Sequence, residues 1–256
     1  MHRGSRKHVL DWTARPKFAS ELTALVPSIP VKITAAAKWM PRGFQDPVEA
    51  RLESLGPEWI PSHPAWAKLE DWWLLHKRYA NTPNWDIAVG CTIGNRPGLV
   101  LVEAKANWPE LKVDGKVLDK NAPKNSQENH QQIGRAIDEA RAGWQRIHPQ
   151  VAITRDSHYQ LANRLAFTWK LGMFGFPVVL VYLGFTGDEG IRGVGDPFVS
   201  DQDWQRAFSE YADGILPLEL LDRRIDLGPA PVWLVSRSLS VLEVSPQAAS
   251  RQRHAG

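Results

Sequence analysis

Glu103 and Lys105 stand two residues apart in the apolar run 99–106. A strand sends alternate side chains to opposite faces. Val100, Val102 and Ala104 therefore share one face, and Leu101, Glu103 and Lys105 the other. A carboxylate and an ammonium on such a run are costly to bury unless they pair or bind a metal. Asp86 sits at the start of the preceding strand-like run, 85–93, and hairpin pairing brings it to the same end of the sheet. Two carboxylates and a lysine at one strand end suit a hard cation. Asp86 and Glu103 would offer oxygen ligands to Mg²⁺, joined by the backbone carbonyl of Ala104, and Mn²⁺ could substitute. Lys105 would orient or deprotonate an attacking water and counter phosphate charge. The bland alternative is a Glu and a Lys at a strand's solvated end.

A helix expected over residues 157–171 adds a second polar group. Gln160, Asn163 and Arg164 fall at i, i+3 and i+4 and so share one helix face. Leu161, Leu165 and Trp169 occupy another. The Gln/Asn/Arg cluster, with Tyr159 beside it, could hold a scissile phosphate or a nearby water. It could equally be a polar face that hydrogen-bonds loops.

The elements that must position these residues are legible as patterns. Seven prolines punctuate 20–64, an irregular entry segment with a short helix expected near 48–55. Pro64 has the place of a first-turn residue. Trp66, Leu69, Trp73 and Tyr79 recur at helical spacing to about residue 80. Runs 85–93 and 99–106 flank a five-residue turn at 94–98 and form a hairpin. Ser126 is the expected cap of a long helix with the apolar stripe Ile133, Ile137, Ala140, Trp144 and Ile147. The continuous apolar run 177–185 suits a strand covered on both faces. Residues 201–212 read as a helix, and 231–244 contains one or two late strands. The sum is one α/β domain, a small mixed sheet flanked by helices with additions at both ends.

A chain of 256 residues with 43% hydrophobic and 23% charged residues can bury a substantial core. No apolar run approaches the roughly 18 residues of a membrane helix, and the N-terminus lacks an apolar signal core, so a cytoplasmic protein is expected. The single cysteine, Cys91, excludes a disulfide framework and cysteine zinc clusters. The net charge of +3 is uneven. Residues 1–20 carry +4 and residues 245–256 carry +2, so the middle is slightly acidic. The ends read as a basic N-terminal arm and a basic C-terminal tail, solvated or drawn to phosphates. Trp85 and Trp108 flank the strands of the site and could stack on bases.

Asp86 followed by Glu103-Ala104-Lys105 on a hydrophobic strand resembles the signature of the PD-(D/E)XK nuclease superfamily, the restriction-endonuclease-like fold. The resemblance covers about residues 64–186, with 107–156 as a helical insertion. It implies a core of helix, three-strand meander, helix and strand. It also implies a metal-dependent nuclease in which Asp86 and Glu103 bind Mg²⁺ and Lys105 assists hydrolysis. Many members carry another acid on the first helix, for which Glu70 is the first candidate and Asp71 the second. Some use a glutamine and a tyrosine on the later helix, which points to Gln160 and Tyr159. The chain departs from the pattern at Trp85, where a proline is usual, and shows no first meander strand between residues 80 and 86. DNA is the implied substrate, and family analogy admits a homodimer. The competing expectation is an inactive module of the same fold that binds nucleic acid or a protein.

Overall fold

The computed structural model describes residues 3–34, 36–52, 65–193 and 195–244. The C-terminal tail, Pro64 and residues 53–55 of the expected 48–55 helix lie outside these residues, and residues 48–51 are extended rather than helical because they run beside the start of β3. Within that last segment, Ala50 exchanges backbone hydrogen bonds with Trp85.

The sheet explains why so many runs are apolar without interruption. Its strands are β1 (Val31–Lys32), β2 (Trp39–Met40), β3 (Ile87–Ile93), β4 (Arg96–Lys105), β5 (Val178–Thr186) and β6 (Val232–Ser240). The order is β1-β3-β4-β5-β6, with β2 also on β3. β3 and β4 pair antiparallel, whereas β4, β5 and β6 run parallel. Ile93 pairs with Arg96, so the hairpin turn is two residues, not the expected five. Gly94 adopts φ +62 at its first position, which a side chain would disfavour. The place beside β3 is taken by two short strands that precede the first core helix rather than follow it. The expected meander therefore does not run in the expected order.

Helices cover both faces. On one side lie α3 (Ala65–Trp73), α4 (Lys124–Gln145), α5 (Tyr159–Met173) and α6 (Asp201–Ala212). Their apolar faces bury Leu99, Leu101, Leu180 and Leu234. On the other side lie α1 (Gly4–Thr13) and α2 (Phe18–Ala24), with α7 (Val241–Val244) beyond β6. These cover Val100, Val102, Val179 and Val181. Strand alternation thus feeds two cores. Burying a side chain such as Leu101 or Val102 contributes about 1.5–3 kcal/mol.

The N-terminal segment is not a solvated arm. Val9, Trp12, Phe18 and Leu22 are fully buried, and Trp12 Nε1 donates to Glu21 at 2.8 Å. Its basic residues lie on the outer side of helices whose inner side is core. Helix α3 ends at Trp73, earlier than the aromatic spacing suggests. The Asn129 side chain of α4 accepts the Leu75 and His76 N–H groups at 3.0 and 2.8 Å and donates to the His76 carbonyl. These bonds replace the next helical turn, so Tyr79 leaves the apolar stripe. Ile147 also lies past the end of its helix and is exposed. Among the described residues no helix is long and apolar enough to cross a membrane.

Candidate functional site

Register places the acids. Ile87 pairs with Val102, so Asp86, one residue before β3, falls level with the Glu103 end of β4. Its Oδ2 accepts the Ala104 N–H at 2.8 Å. Glu103 and Lys105 point from β4 toward α5 and are nearly excluded from solvent. Lys105 Nζ donates to Glu103 Oε1 at 2.5 Å and to Gln160 Oε1 at 2.8 Å. The sequence reading has Gln160 on a face that could hold a phosphate or a water; in the structure its carbonyl oxygen accepts from Lys105.

Arg164 closes the other side. Its Nε donates to Glu103 Oε2 at 2.6 Å, and its Nη2 lies 2.6 Å from the same oxygen. Nη2 also donates to the Asn84 carbonyl at 2.7 Å, and Nη1 to Asn163 Oδ1 at 2.8 Å. The guanidinium sits 4.5 Å from the Trp85 ring centre. The sequence reading gives Arg164 and Asn163 to nucleic acid; both are buried, Arg164 holding Glu103 and the loop before β3 and Asn163 accepting from Arg164. Trp85 is fully buried against Arg164 and offers no face to a base. No direct sequence signal marks this clamp, because helix spacing shows a shared face but not its partner.

The electrostatics follow from burial. Burial alone would raise Glu103, but Arg164 and Lys105 override it and hold its carboxyl below the usual range. Asp86 lacks such a close partner. Burial first, and the charge of Glu103 second, push it up to about 7. Its folded pKa therefore exceeds the ordinary 3.8 of the unfolded chain. The folded state binds the proton more tightly, so this contribution is present below about pH 4 and lost as pH rises through about 7. The metal-free protein is expected to lose thermal stability over that window. A cation bound to the ionised carboxylate reverses the trend, so Mg²⁺ should raise Tm more at about pH 8 than at about pH 5.5. Melting curves in EDTA and in Mg²⁺ check this; an equal shift at both pH values would remove Asp86 as a ligand.

Glu70 does not reach the cluster. It pairs with Lys77 at 3.2 Å, and Asp71 pairs with the same lysine. Among the described residues no group of three His, Cys, Asp or Glu side chains could hold a metal. The side-chain oxygens gathered at this place are those of Asp86, Glu103 and Gln160.

A cleft of about 460 Å³ opens beside the cluster, lined in part by Gln160, Asn163 and Arg164. Its other walls come from the 81–84 loop and from Lys112, Asp114 and Lys116. Backbone bonds fix that second wall. Lys116 N–H donates to the Arg155 carbonyl at 2.8 Å, and Tyr159 N–H to the Asp114 carbonyl at 3.0 Å. A Cβ on Gly115 would stand 2.4 Å from the Asp156 carbonyl oxygen, so glycine permits this approach. Tyr159 is half-buried, with Lys116 Nζ 4.9 Å from its ring centre. Asp114-Gly115 is a turn signal in the sequence, whereas no motif marks Lys116.

Comparison of the chain with protein-family models, curated proteins and solved structures finds no match.

Proposed function

We propose that this chain is a metal-dependent nuclease of restriction-endonuclease-like fold that hydrolyses phosphodiester bonds in DNA. The observation that carries the reading is one cluster: Asp86, Glu103 and Lys105 at one end of one hairpin, closed over by Gln160. The fit to a divalent cation rests on Asp86. Among the described residues no lysine or arginine bonds its carboxylate, which accepts the Ala104 N–H and is pushed up to about 7 by burial and by Glu103. Mg²⁺ tolerates a small protein ligand set because it keeps several waters. Asp86, Glu103 and the Ala104 carbonyl would hold it, with Mn²⁺ as a substitute. The ion would supply positive charge at the scissile phosphate.

The chain's own residues do the rest. Lys105 orients the attacking water and offsets phosphate charge. Gln160 fixes the ammonium through its carbonyl oxygen. Arg164 fixes the Glu103 carboxylate and ties it to the loop that carries Asp86. The water oxygen forms a bond to phosphorus as the bond to the leaving ester oxygen breaks. The cleft at Gln160 gives a strand access to this point.

One observation favours the inactive-module reading. Both Glu103 oxygens are already engaged by cations, which is a complete structural arrangement without metal. Cleavage of supercoiled plasmid and of labelled strands in Mg²⁺, Mn²⁺ or EDTA separates the two. Cutting that requires the metal is the expected result. A folded protein that cuts nothing with either metal would sink the nuclease reading.

A further inference from the structure

The cleft has a feature that a duplex reader does not need. Tyr79 is 92% exposed, with its backbone held at φ +61. L-residues other than Gly, Asn and Asp rarely adopt that conformation, and strain of this kind clusters at binding sites. The Arg78 guanidinium packs 4.9 Å from the ring centre and its Nη2 donates to the Tyr79 hydroxyl at 3.1 Å. The ring is thus presented to solvent and steadied from one side. Two residues later, at Asn81, the chain becomes the wall of the cleft.

The opposite wall is cationic. Lys116 is half-buried, and among the described residues neither it nor Lys112 has a carboxylate partner. Asp114 is the one acid among the lining residues. An ammonium without a carboxylate, partly desolvated against the Tyr159 ring and fixed by the pairing of its backbone with Arg155, is arranged to receive an anion. Val113 and Val117 beside it are exposed. Cations along one wall, with an exposed aromatic ring two residues from the other, suit unpaired nucleic acid. In a duplex the base faces are stacked on each other and cannot reach such a ring.

We propose that the cleft takes nucleic acid as an unpaired strand, with phosphates on Lys112 and Lys116 and a base stacked on Tyr79. This rests on the nuclease reading for its role, but binding can be measured apart from cleavage. The test is fluorescence anisotropy in EDTA with a labelled oligothymidylate and a blunt duplex of equal length. The parent is expected to prefer the strand. Tyr79→Asn keeps a residue that tolerates positive φ and should weaken strand binding roughly tenfold, while Tyr79→Phe stays near the parent. Lys116→Met should weaken it too and reduce the salt slope by about 0.7. Strand binding unchanged in both Tyr79→Asn and Lys116→Met would overturn the proposal, as would equal affinity of the parent for the duplex. A parent that binds through Tyr79 and Lys116 yet cuts nothing with Mg²⁺ or Mn²⁺ upholds the proposal and overturns the nuclease reading. A parent whose strand cleavage survives in both variants overturns the proposal and leaves that reading intact.

Discussion

Replacing Lys105 with alanine should abolish metal-dependent cleavage, by about a thousandfold or more, while leaving strand binding in EDTA near the parent's. The size follows from two roles lost together. A misplaced attacking water costs about 10²-fold, and a fixed donor at developing charge contributes about 10²–10³-fold. The geometry leaves no understudy. Lys105 Nζ is the group that joins Glu103 to Gln160, and Arg164 faces the other Glu103 oxygen. The fold should survive, because Arg164 still neutralises Glu103. Lys105→Met keeps the apolar stem and separates lost charge from lost packing. The two variants should be equally inactive. Full activity in Lys105→Ala would sink the mechanism, and loss in alanine but not in methionine would show that the side chain only fills space. Gln160→Leu should give an intermediate loss in kcat at unchanged KM, since it acts through Lys105.

The site was legible where a strand's period is strict. Alternation in 99–106 put Glu103 and Lys105 on one face, and the structure keeps Leu99 and Leu101 on that face. The start of the partner strand placed Asp86. What escaped was anything decided by distant residues. Asn129 ends α3 some fifty residues away in sequence, and this releases Tyr79 into a loop. Arg164 sits on the predicted helix face, yet its partner is fixed by how α5 lies across β4. Charge counting at the N-terminus hid the stripe Val9, Trp12, Phe18 and Leu22, which packs on the sheet. β1 and β2 are two residues each, too short for any period to show. Placement read from the strand period was therefore more robust than the assignment of charged residues to solvent.

Glu103→Ala should be the most destabilising single change at the cluster, by about 3–5 kcal/mol, because it strands buried cations without their carboxylate. For a chain of this size each kcal/mol lowers Tm by about 2–4 °C, so a fall on the order of 10 °C is expected. Asp86 offsets part of this. With Glu103 gone, the second cause of its raised pKa is gone too, and Lys105 and Arg164 then favour its ionised form. The fall in stability between about pH 4 and 7 should accordingly shrink in the variant. Mg²⁺ should no longer raise Tm at any pH, since one of two carboxylate ligands is missing. Glu103→Leu combined with Arg164→Met removes the stranded guanidinium and should recover part of the loss, as apolar replacement of a buried pair often does. A Glu103→Ala melt within a degree or two of the parent would show that water, not protein, neutralises Lys105 and Arg164. A large loss that the double change does not relieve would place the cost in packing at the end of β4 rather than in charge. The outcome bears on function because the same three charges must reopen to admit a metal. A cluster tightly bound without the ion sets a high threshold for it, and a cluster that costs little to break sets a low one.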